Sequence, residues 1–173
     1  MNKFLRFLCF AALMGGVWAH AMDVGQHLQA ELLVAVTQGH LGGVRQLLQQ
    51  GAPVGAKDPW GDTLLHKAAQ VSTLKMCELL LEHGAGIDAK NDAGLTPLGR
   101  AVASGHVDVC WLLIAHGASL DVGKELSLLH LAARNGHVDV CRLLVAQGAL
   151  VDAKDYAGST PLERAIEKGS TSV

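Results

Sequence analysis

Aromatic residues are scarce: three Phe, three Trp and one Tyr, 4% of 173 residues. They are also unevenly placed, since Phe4, Phe7, Phe10 and Trp18 lie at the N-terminus and only Trp60, Trp111 and Tyr156 follow Ala21. A core without Phe must be built from Leu, Ala, Val and Ile. Those small volumes suit closely stacked helices and argue against a sandwich or barrel rich in β-branched and aromatic strands. Charge is scarce too, at 17%; taking Lys3 and Arg6 from the 14 basic residues leaves 12 against 16 acidic ones, a balance of −4. An acidic chain without a basic stripe speaks against nucleic acid as a partner, and no basic amphipathic stretch after the N-terminus speaks for a membrane-surface helix. Also missing are Cys-x-x-Cys, His-Glu-x-x-His, a phosphate-cradling glycine loop and a nucleophile elbow. No reaction centre, metal site or cofactor is therefore expected, and the chain does not read as an enzyme.

What is present begins with an address label. Lys3 and Arg6 precede a 12-residue apolar run, Phe7 to Trp18, and Ala19-His20-Ala21 supplies the small-x-small pattern of a cleavage site. The run is shorter than the roughly 20 residues that cross a bilayer and is interrupted by Gly15-Gly16, so residues 1–21 read as a secretory signal peptide, cut after Ala19 or Ala21. On this reading the mature protein is periplasmic or secreted, with no membrane insertion after cleavage.

Residues 22–173 are governed by a repeat. Gly51-Ala52, Gly84-Ala85, Gly117-Ala118 and Gly148-Ala149 are spaced by 33, 33 and 31 residues. Aligned on these pairs, Thr63-Leu64-Leu65-His66-Lys67-Ala68-Ala69 falls over Thr96-Pro97-Leu98-Gly99-Arg100-Ala101-Val102, Ser127-Leu128-Leu129-His130-Leu131-Ala132-Ala133 and Thr160-Pro161-Leu162-Glu163-Arg164-Ala165-Ile166. Gly39-His40, Gly105-His106 and Gly136-His137 mark a turn inside each unit, and leucine pairs come after it. The opening Thr or Ser can accept a hydrogen bond from a first-turn N–H, and Pro97 and Pro161 stand where a missing N–H costs nothing. The Gly after each second helix is placed for a left-handed cap.

These residues resemble the ankyrin repeat, whose T-P-L-H-x-A signature and 33-residue length they match over essentially all the chain after residue 30. The resemblance implies an all-α solenoid of helix-turn-helix units with short β-turn fingers, four to five repeats including caps, in units of roughly 24–57, 58–90, 91–123, 124–154 and 155–173. Val24 to Ala30 reads as an N-terminal capping helix running into the first unit. The finger Val122-Gly123-Lys124-Glu125-Leu126 lacks room for the Asp/Asn-x-x-Gly turn of the others and should be shorter.

Of the nine His, eight follow Ala21, and the alignment disperses them, only His27 lacking a repeat slot. His40, His106 and His137 occupy the mid-unit turn, His66 and His130 the signature slot, and His83 and His116 precede the capping Gly. In the family the first two kinds tie one unit to the next. Cys77, Cys110 and Cys141 share one slot of the second helix and read as small buried hydrophobes. Stacked helices about 8–10 Å apart hold neighbouring thiols beyond the Cα separation of about 7 Å that a disulfide tolerates.

Ankyrin proteins generally bind other proteins through finger tips and the exposed side of the first helices. Carried onto this chain, the candidate contact residues are Trp60, Asp62, Val71, Asp92, Leu95, Arg134, Asn135 and Tyr156. Trp60 is the expected anchor, and Asp62 and Asp92 favour a partner offering Lys or Arg. Trp111, in a slot held by Glu78 and Arg142 elsewhere, should lie on the outer face, either as a second contact or as cover for neighbouring aliphatics. The expectation is a monomeric, non-enzymatic binding module of the cell envelope. Similar signal-bearing bacterial proteins serve periplasmic catalases or block cell-wall hydrolases. The rival readings are a thiol- or metal-dependent oxidative-stress protein and a secreted, host-directed effector.

Overall fold

The computed structural model describes residues 17–121 and 127–169, with side chains from His27 onward. Among these residues the chain forms helices and no strand: α1 (Val17–Thr37), α2 (Leu41–Gln49), α3 (Leu64–Gln70), α4 (Leu74–Glu82), α5 (Pro97–Ser104), α6 (Val107–Ala115), α7 (Leu128–Asn135), α8 (Val138–Ala146) and α9 (Pro161–Glu167). The N-terminal segment is helical and runs into the first unit, as expected. Val24 to Ala30 is continuous with the first helix of the first hairpin, and Ala19-His20-Ala21 lies within the same helix. The expectation of a shortened finger at residues 122–126 falls outside the described residues, as do residues 1–16.

Each hairpin forms for local reasons that recur. Thr96 accepts at its Oγ1 from the N–H of Gly99 at 3.2 Å, and Thr160 and Ser127 cap α9 and α7 in the same way. Pro97 and Pro161 open their helices where no N–H is needed. The second helices end on Gly51, Gly84, Gly117 and Gly148, with φ of 82° to 92°. This left-handed conformation strains any residue with a Cβ, and it turns the chain out into the next finger.

The hairpins stack in two layers. First helices pack in the order α1, α3, α5, α7, α9, and second helices in the order α2, α4, α6, α8. One continuous core runs between the layers. Its large members are Leu32, Leu64, Leu65, Met76, Leu80, Leu98, Leu113 and Leu144, all fully buried, and the alanines Ala68, Ala69, Ala101 and Ala132 between them leave no accessible surface. Alanine at these slots lets neighbouring hairpins approach closely, which is why the core needs no aromatic residue.

Candidate functional site

The fingers rise from three copies of one turn. Oδ1 of Asp58 accepts from the N–H of Trp60 and of Asp62, both at 2.9 Å. Asn91 holds Ala93 and Leu95 at 3.1 and 2.9 Å, and Asp155 holds Ala157 and Ser159 at 2.9 and 3.0 Å. An Asx side chain that captures two backbone donors makes the loop a fixed bracket.

Nine residues after each Asx stands a cation: Lys67, Arg100 and Arg164. Lys67 Nζ lies 2.6 Å from Asp58, and Arg164 Nε lies 2.6 Å from Asp155. Where the Asx is the neutral Asn91, Arg100 reaches back to Asp62 of the preceding finger at 2.8 Å, and Asn91 Nδ2 donates to Asp62 Oδ1 at 2.6 Å. Lys67 also approaches Asp62, at 3.5 Å. Asp58, Lys67, Asp62, Arg100 and Asn91 thus form one polar ladder across two units. Burial alone would raise both carboxyl pKa values, but the hydrogen bonds from Lys67 and two backbone N–H groups at Asp58, and from Asn91 and Arg100 at Asp62, outweigh it and hold both below the usual 3.8. The fourth unit has Leu131 in the cation slot, in the same unit whose finger sequence lacks the Asx.

The histidines are joints. His66 donates from Nε2 to the Leu95 carbonyl at 2.9 Å, while its Nδ1 accepts from the N–H of Thr63 at 3.1 Å. Burial pushes its pKa below 6.5, and the two contacts fit a neutral ring with its proton on Nε2. His130 repeats the arrangement, with Ser127 at 2.7 Å and the Ser159 carbonyl at 2.9 Å. From the mid-unit turns, His106 reaches Gln70 O at 2.8 Å and His137 reaches Ala103 O at 3.0 Å, each one unit back. His83 and His116 donate to carbonyls of their own helices. Among the described residues no group of three or more His, Cys, Asp or Glu could hold a metal, and no helix is long and apolar enough to cross a membrane.

A family profile described as ankyrin repeats in three copies matches residues 32–124 and 120–173. The chain is an ankyrin-repeat protein. No curated protein matches it. Ankyrin repeats are protein-binding modules, so the surface of the stack is the place to seek function.

On that ankyrin stack the predicted contact residues divide. Trp60 is 67% exposed and Tyr156 79% exposed. Each aromatic is held by its own unit's cation, Lys67 5.4 Å from the Trp60 ring and Arg164 6.0 Å from that of Tyr156. Val71, at the end of α3, is about half exposed, and Arg134 and Asp92 are exposed. Asp92 leans on Gly61, and its N–H donates to the Trp60 carbonyl at 3.2 Å, so the second finger props the first. Asp62 is a correction. It is 2% exposed, and its carboxylate is taken up by Asn91, Arg100 and Lys67; it joins fingers and offers no charge to a partner. Leu95 and Asn135 are half-buried joints as well. Leu95 packs on the core and gives its carbonyl to His66, and Asn135 Nδ2 donates to Ala103 O at 3.1 Å. Trp111 lies on the outer face, 61% exposed.

Sequence reasoning missed the cation slot. Its signal was visible in the aligned signatures, where Lys67, Arg100 and Arg164 recur nine residues after Asp or Asn. The three thiols are free and buried. Burial pushes Cys77 and Cys110 up to about 12 and raises Cys141, so none carries the thiolate that a redox or metal role requires.

Proposed function

We propose that the chain is a non-enzymatic ankyrin module, exported to the cell envelope, that docks a partner protein against its finger side and modulates or protects it. A periplasmic catalase and a cell-wall hydrolase are the two kinds of client that such a module would serve. The observation that carries the docking surface is Trp60. A large aromatic, 67% exposed and unnecessary to a core of Leu and Ala, stands on a bracketed finger over Lys67. Trp anchors of this kind dominate interface energies, and preorganisation lowers the ordering cost of binding. Export rests on the basic, apolar and small-residue pattern of residues 1–21. With Asp62 consumed inside the stack, Asp92 alone of the two acidic candidates is left to favour a basic partner.

The test is a crosslinked capture from the envelope fraction with wild type and Trp60→Ala in parallel. Loss of the anchor should weaken the complex by about 2 kcal/mol or more, so the variant should recover its partner poorly. Equal recovery of the same proteins by both would remove Trp60 from the interface.

A further inference from the structure

Trp111 has no part in the core. Val109, Cys110, Leu112 and Leu113 are the buried members of α6, and the indole stands 61% exposed on the outer face of the second-helix layer. Helix α6 packs between α4 and α8. The slot of Trp111 is held by Glu78 in α4 and by Arg142 in α8, both exposed. Across three adjacent helices the outer face therefore reads acid, indole, base. Three residues earlier the same helices carry Lys75, Asp108 and Asp139, all exposed. Three residues later they carry Leu81, Ile114 and Val145, all partly open to solvent, with the small Ala115 and Ala146 exposed beside them.

A row with opposite charges on either side of a central aromatic is complementary to itself when reversed. We infer that two copies of the chain pair through this face about a two-fold axis running along α6, the two Trp111 indoles meeting at the centre. Such an axis keeps the two α6 helices parallel and reverses the order of the stacks. Glu78 of each copy then lies opposite Arg142 of the other, Lys75 opposite Asp139, and Leu81 opposite Val145, while Ile114 and Ala115 meet their own kind. Arg142 is available for this role, because its pair with Asp139 on the same helix is loose, at 3.7 Å, with the two side chains 79% and 78% exposed. In these rows only Asp108 meets a like charge, and its place in the first turn of α6, where the helix dipole favours an anion, limits the cost.

A contact of this kind is isologous and closes at two copies. The three helices have nine residues each. At about 1.5 Å per residue and roughly 10 Å between axes they present a face of about 400 Å² on each copy. The pair covers less than the roughly 1,200 Å² of a standard interface, which makes the dimer weak and concentration-dependent. The finger side that carries Trp60 takes no part, so a dimer presents two such sides. This assembly departs from the monomer expected from the sequence.

Sedimentation of the full chain from low micromolar to near-millimolar concentration tests this, with Glu78→Arg, Arg142→Glu and Trp111→Ala beside wild type. All three positions are exposed, and circular dichroism checks that each variant is folded. Wild type should pass from monomer to dimer with concentration and stop there. Glu78→Arg sets base against base and Arg142→Glu acid against acid, so each alone should remain a monomer. Their equimolar mixture should form one-to-one dimers, because the introduced base of one faces the introduced acid of the other while the native Arg142 and Glu78 pair across the same contact. Trp111→Ala should weaken the dimer by about 30-fold or more. A wild type that stays monomeric overturns the inference and leaves this face to a different protein. So does growth beyond the dimer, a Trp111→Ala dimer as strong as that of wild type, or a mixture that fails to pair. Undiminished association of the two charge variants, each alone, would mean another surface such as the apolar residues 1–16 and overturns it equally.

Discussion

Ser72 is the one non-glycine residue among those described with a positive φ, at 58°. It stands where the other hairpins carry Gly39, Gly105 and Gly136, all left-handed at that turn. A Cβ in that conformation costs about 1–2 kcal/mol, and the extra freedom of glycine in the unfolded chain returns roughly half of that. Ser72→Gly should therefore stabilise the protein by about 0.5–1 kcal/mol net. Urea denaturation would show the midpoint moving up, and an unchanged or lower midpoint would count against strain at this turn. The turn itself was legible in the sequence because three Gly-His pairs announced it. Asp62 was not, because a polar residue just after a turn glycine reads as solvent-facing. Its partners Asn91 and Arg100 are 29 and 38 residues away and come near only once two units have stacked. Leu95 and Asn135 were misplaced for the same reason: their bonds run to the neighbouring unit.

At the scale of the element, finger and helix are held by groups whose charge depends on pH. His66 has a folded pKa below 6.5, so the unfolded chain takes up the proton first. Its contribution is whole above 6.5 and is lost as pH falls through the lower, folded value. The physical event is replacement of the acceptor for the Thr63 N–H by a second donor. Asp58 and Asp62 have folded values below 3.8, so their contribution is whole above 3.8 and lost as pH falls further. Urea midpoints should be affected by neither group above pH 6.5, show a His66-dependent fall below it, and fall again below pH 3.8. In His66→Gln the part of the first fall due to this ring should disappear. An unaltered profile in that variant would mean that His66 does not titrate with folding. The helices, caps and turn glycines that these groups join were all legible, because each rests on neighbours in sequence. The cation slot needed the units to be laid over one another and their exceptions compared.

For the whole molecule, stability is a sum over stacked units, each covered on two sides except at the ends. Cys77 and Cys110 are wholly buried, and Cys141, nearer the C-terminal end, is 7% exposed. A thiol reagent at mildly alkaline pH should therefore find the native protein slow to react, with Cys141 modified before the other two as the last hairpins open. Unfolded protein should react at once at all three. Rapid modification of native Cys77 or Cys110 would revive the thiol-dependent reading of the function.

The ladder from Asp58 through Lys67 and Asp62 to Arg100 and Asn91 spans only the second and third units. Elsewhere along the stack units are joined by apolar contact and by single hydrogen bonds such as those from Lys57 Nζ to the Lys90 carbonyl at 3.3 Å and from His137 to the Ala103 carbonyl at 3.0 Å. Pulled lengthwise by its two termini, such a stack peels from its extremities inward. The hairpins bearing Trp60 and Asp92 would be the last to part, leaving the recognition edge intact while the flanks have already come undone.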